Sequence, residues 1–114
     1  MNTVILKVAD VQASLADFKR VWDTGEAAPA AITFASWDLM HKVLSPKRLE
    51  ILRALCGQPA MSIRELSRRL DRDFKGVHTD VTSLLGAGVI DHQEGKICLP
   101  YDRIHVEFDI EAAA

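Results

Sequence analysis

The sequence predicts an α+β fold: a winged helix-turn-helix core with an N-terminal strand-helix extension and a C-terminal strand. Three observations predict it. Three short helices with clear start and stop signals follow one another between residues 45 and 88. The pattern then changes from a helical period to alternation, as in a hairpin that follows three helices. Positive charge also gathers on the helical third of the chain. At 114 residues there is room for one core, divided into an extension over residues 1–35 and a main domain over residues 36–114. With 48% apolar and 26% charged residues, the composition is that of a globular chain and not a disordered one.

Taken in order, Val4–Val8 predicts a strand. Asp10 to about Thr24 predicts a helix with Val11, Leu15, Phe18 and Trp22 on one face and Gly25 as its stop. Ala28–Ala31 reads as a linker and Ile32–Phe34 as a short strand, after which Ser36 can cap a brief helix carrying Trp37, Met40 and Val43. Ser45-Pro46 is an N-cap followed by proline at the first helical position, with Leu44 and Leu49 able to close a staple. That helix runs to about Leu55, with Leu49, Ile51, Leu52, Leu55 and Cys56 on one side. Ser62 and Glu65 form a capping box for a helix over 63–70, with Met61 and Leu66 as its staple. Asp73 caps the next, whose apolar face holds Phe74, Val77, Val81, Leu84 and Leu85, and Gly86-Ala87-Gly88 stops it. Residues 89–92 and 96–99 flank Gln93-Glu94-Gly95 as a hairpin, and Ile104, Val106, Phe108 and Ile110 alternate with polar residues as a half-buried strand.

The formal net charge of −2 gives nucleic acid no bulk attraction, but the charges are unevenly placed. Residues 1–44 hold four basic and five acidic side chains (4 − 5 = −1). Residues 45–80 hold eight against five (8 − 5 = +3), and residues 81–114 two against six (2 − 6 = −4). Within the basic third, Arg64, Arg68 and Arg72 recur every four residues opposite Ile63, Leu66 and Leu70, where they can hold phosphates with Ser62 at the helix start. The competing reading is an ion-paired surface, with Glu65 holding Arg68 or Arg69 and Asp71 offsetting Arg72. On the following helix, Lys75, Thr79, Thr82 and Ser83, with His78 at the margin, lie opposite the apolar face. These short or cationic side chains can reach base edges in a major groove, where Gly76 permits close backbone approach. A solvated polar face is the bland alternative. Asp80 is placed to pair with an arginine internally. Lys96 and His92 give the hairpin a weak grip on DNA at most, because Asp91 and Glu94 adjoin them.

Other chemistries find no support. No apolar run approaches the roughly 20 residues of a membrane span, and Met1–Lys7 lacks the basic start and long apolar stretch of a signal peptide. Cys56 and Cys98 are expected as free packing thiols in a reducing cytoplasm. The four histidines share no metal-ligand spacing, there is no Gly-rich phosphate loop, and no nucleophile–base pair stands out. Neither a cofactor, a metal nor an enzymatic activity is expected.

Three segments also carry a resemblance: Leu44–Arg53, Ser62–Leu70, and Arg72–Val81 with its Arg72-Asp73-Phe74 lead into Val77-His78 and Asp80-Val81. They resemble a group of small prokaryotic winged-helix transcriptional regulators related in fold to the MarR and ArsR classes. The likeness includes Trp37-Asp38-Leu39 and Leu99-Pro100-Tyr101-Asp102. It implies sequence-specific binding of double-stranded DNA by a homodimer. Some members resemble antitoxins encoded beside a toxin and repressing their own operon. The cysteine pairs of metal-sensing ArsR-type regulators are missing here, which speaks against induction by metal.

The function expected is therefore a homodimeric DNA-binding repressor. Dimerisation is assigned to Val4, Leu6, Phe18, Trp22, Val106 and Phe108, which a winged core of about 60 residues does not need in order to fold. An N-terminal part that merely caps a monomeric core is the alternative. The competing function is a protein-interaction module, an antitoxin that neutralises a toxin protein through its N-terminal segment or acidic C-terminal strand.

Overall fold

The computed structural model describes residues 2–9, Lys19, residues 30–110 and Ala112. The helix expected over 10–24, with Phe18 and Trp22, lies outside the described residues apart from the helical Lys19. Among the described residues the chain is a small α+β domain of four helices and five strands in two sheets. The order is β1 (Thr3–Val8), β2 (Ala31–Phe34), α1 (Trp37–Val43), α2 (Pro46–Leu55), α3 (Ile63–Leu70), α4 (Phe74–Gly86), β3 (Asp91–Gln93), β4 (Lys96–Cys98) and β5 (Arg103–Glu107).

The helices begin where their capping residues place them. Ser36 Oγ accepts from Leu39 N at 3.2 Å, Ser62 Oγ from Glu65 N at 3.0 Å, and Asp73 Oδ2 from Gly76 N at 2.8 Å. Each satisfies an N–H that the first turn leaves without an intrahelical acceptor. Ser45 stands at the N-cap of α2 but its hydroxyl makes no cap bond, so Pro46 carries that start. The capping box at Ser62 is half built, because both Glu65 oxygens are turned to arginines. Ser62→Ala should lower the unfolding free energy by about 1 kcal/mol, visible as a lower urea midpoint at unchanged slope.

Asp71 ends α3 in the left-handed region, at φ 52°, and its N–H returns to the carbonyls of Ser67 and Arg68. This sharp stop lets α4 start only four residues after α3 ends. Leu66, Val77, Val81 and Leu84 are fully buried where the helices meet, in one core with Ile51, Leu55, Ile90 and Ile97. The hairpin β3–β4 turns through Glu94 and Gly95, both at positive φ, and Gly95 supplies at no steric cost what its position requires. Met61, just before α3, exchanges both backbone hydrogen bonds with Ile97 of β4 and so ties the hairpin to the helices.

The second sheet has the order β2-β1-β5, and both pairings are parallel. The strand foreseen for the extension is thus central and hydrogen-bonded to the C-terminal strand, with Thr3 opposite Arg103 and Lys7 opposite Glu107. This corrects the assignment of Val4 and Leu6 to a dimer contact. Both are wholly buried in the chain's own core, so neither side chain is available to a second copy. Other placements also differ from expectation, among them the C-terminal strand, which ends at Glu107 and leaves Val106, Phe108 and Ile110 exposed. Phe74, Leu49 and Trp37 are each close to half exposed: Phe74 precedes the turn at which α4 meets the core, Leu49 faces β5, and Trp37 packs against Phe108 with tilted rings 4.2 Å apart between centroids.

Candidate nucleic-acid interface

The outer face of α4 presents Lys75, His78, Thr79 and Thr82 to solvent, while Ser83 is half-buried. The opposite face, through Val77, Val81 and Leu84, has no exposure at all, so the helix cannot roll without unpacking the core. Thr79 Oγ donates to Lys75 O at 3.0 Å and Thr82 Oγ to His78 O at 2.8 Å. Each hydroxyl proton is therefore held by the helix, and its lone pairs and methyl group are left for the outside. In a major groove such side chains accept from a base amino group or lie against a thymine methyl. Gly76 has a different local role from the one foreseen. A Cβ there would stand 3.1 Å from Asp73 Oδ1, so the absence of a side chain makes room for the cap.

The arginines of α3 do not form one stripe. Arg64 and Arg68 are exposed and line a hollow of about 360 Å³ with Ser62, Glu65 and Ser67. Arg68 is ion-paired with Glu65, which also takes Arg69 Nε at 3.1 Å. These exposed pairs hold little energy and can open toward a phosphate. The guanidinium of Arg64 lies over the Phe74 ring, 5.3 Å from its centroid, and the His78 ring lies 5.9 Å from the same ring. Ser62 is half-buried with its hydroxyl committed to the cap.

Arg72 corrects the extrapolated stripe. It follows the left-handed Asp71, so it has left the line of α3, and its guanidinium turns inward to Asp80 at 2.8 Å. Asp71, which was to offset Arg72, acts as the helix C-cap instead. Asp80 also takes Arg48 Nε at 3.2 Å, and Arg48 Nη1 donates to Lys42 O at 2.8 Å. The three charged side chains are between 16% and 18% exposed, and together they lock α2, the turn before α4 and α4 to one another. Burial alone would raise the Asp80 carboxyl. Hydrogen bonds from Arg72 and Arg48, together with their positive charge, hold it below its ordinary value.

Two residues join the surface without having been foreseen. Lys47, in the first turn of α2, lines a cleft of about 390 Å³ with Lys75, Gly76 and Thr79. The half-exposed Phe74 holds Arg64 in place. Lys47 adjoins the cap of its helix, the one available signal, but only the fold reveals that this turn faces α4. Lys96 is exposed at the start of β4, next to the hairpin turn, and it lines neither of these clefts. Among the described residues there is no cluster of three or more metal-ligating side chains, and no helix is long and apolar enough to cross a membrane.

A protein-family model described as HVO_A0114 matches residues 43–106, from the end of α1 into β5 and more than half of the chain. No curated protein matches, and no solved structure matches.

Proposed function

The chain belongs to the HVO_A0114 family, and we propose that it is a sequence-specific DNA-binding regulator with a winged helix-turn-helix core of the MarR and ArsR kind, acting as a homodimeric repressor. The observation that carries this reading is the two-sided character of α4. One face is sealed in the core and the other offers a lysine, a histidine and two threonines, with exposed Arg64 and Arg68 on the helix before it. In this reading α4 enters the major groove, α3 lies across the backbone, and the β3–β4 hairpin is the wing. Lys75, His78, Thr79 and Thr82 approach bases and Ser83 supports them. Arg64, Arg68 and Lys47 hold phosphates, and Ser62 and Arg72 serve the architecture that positions them. Val106 and Phe108 remain the dimer contacts, both being exposed.

Fluorescence anisotropy on DNA from upstream of the gene, at several salt concentrations, tests the proposal. Binding should weaken steeply with salt and exceed that to scrambled DNA by roughly a thousand-fold or more at physiological salt. Equal affinity for both DNAs would sink it.

A further inference from the structure

We infer that two copies of the chain join edge to edge through β5 in antiparallel register centred on His105, so that the two three-stranded sheets become one of six strands. This deepens the homodimer of the proposed function and rests on that reading. Among the described residues β5 is an edge strand, with its other side on β1. A free edge leaves backbone groups ready to pair with another strand.

The side chains of β5 are self-complementary about His105. With His105 opposite its own copy, Arg103 stands opposite Glu107 of the second copy and Glu107 opposite its Arg103. Two opposite-charge pairs thus form on one face of the joined sheet. All three side chains are exposed, and His105 Nε2 lies 3.3 Å from Glu107 within the chain. Like charges on an edge would have kept copies apart, whereas this pattern is self-complementary.

On the other face Ile104 meets Val106 of the second copy, and Val106 its Ile104. These residues border an apolar groove of about 320 Å³ between α2 and β5, lined also by Leu49, Leu52, Arg53 and Cys56. The half-exposed Leu49 and Val106 lie on this groove, where the second copy covers them. A twofold axis through His105 therefore matches charge on one face and apolar surface on the other, as an isologous interface requires.

Sedimentation equilibrium of the full chain tests this, with folding of each variant checked by circular dichroism. The wild type should be a dimer. Arg103→Glu, which sets two pairs of like charges opposite each other, should raise the dissociation constant roughly ten-fold. Val106→Asp should raise it on the order of a hundred-fold. Arg103→Glu mixed with Glu107→Arg should form a heterodimer in which both pairs are attractive again. If Glu107→Arg, which would stand beside Lys7 of β1, fails to fold, comparison of Arg103→Glu with Arg103→Lys decides instead. A monomeric wild type, a dimer indifferent to Val106→Asp and Arg103→Glu, or folded variants that do not associate when mixed would each overturn the inference. Anisotropy separates the two proposals. If the interface is wrong, specific DNA binding can survive; if the DNA-binding reading is wrong, the dimer can survive without it.

Discussion

Asp80→Ala should destabilise the domain by roughly 3 kcal/mol, because it leaves two largely buried guanidinium groups without a counter-charge. Arg72 is the more exposed to this loss. Its Nη1 is already buried without a protein hydrogen-bond partner, and the substitution deprives Nη2 as well. Thermal unfolding should show a midpoint lower by roughly 10–15 °C. The pH dependence carries a second signature. The folded-state Asp80 carboxyl titrates below its unfolded value, near 3.8, so its stabilising contribution is complete above that value. The contribution is lost as pH falls from about 3.8 through the folded-state value. In Asp80→Ala this part of the acid sensitivity should vanish. An unchanged acid limb would show that the Arg48–Asp80–Arg72 cluster contributes nothing to it. Because Arg72 directly precedes the cap of α4, the same variant should also loosen the helix proposed to read DNA.

The second large effect separates grip from reading. Arg68→Ala should weaken binding to every DNA sequence to a similar degree and lower the magnitude of the salt slope by about one for each subunit bound. Thr82→Ala and Thr79→Ala should leave the salt slope in place and change which bases are preferred. Loss of one base contact amounts to roughly 1–3 kcal/mol at the affected position. Anisotropy against a panel of single-base variants of the operator distinguishes these outcomes. If Arg68→Ala altered base preference while the threonine variants acted uniformly, the assignments of α3 and α4 would have to be exchanged.

Local chemistry was legible in the sequence, and distant pairing was not. The bounds of α2, α3 and α4 follow from Pro46, Ser62, Asp73 and the glycines after Leu85, which act within one or two turns of themselves. The outward face of α4 was equally readable, since burial of Val77, Val81 and Leu84 fixes what lies opposite. Asp80 could be assigned to an internal arginine from its place beside the apolar face. Arg48 could not be named, because 32 residues separate it from Asp80. The arginine stripe failed at Arg72 for a local reason that periodicity does not register: Asp71 takes up the left-handed conformation and redirects the chain. Val4 and Leu6 were misassigned because a parallel strand pair leaves no turn between its members to betray it. Their partners are Ile104 and Val106 at the far end of the sequence.

That pairing orders events in time. The helices and the hairpin draw on partners nearer in the chain, whereas β1 cannot complete its ladder until Arg103–Glu107 exist. During synthesis the first strand therefore leaves the ribosome nearly a hundred residues before its partner does. Until Ile104 and Val106 are made, Val4 and Leu6 lack their partners on that side. Closing so long a loop is entropically unfavourable and is repaid only when the whole ladder forms at once. The three-stranded sheet is thus expected to complete late, when residues 3–7 meet residues 103–107.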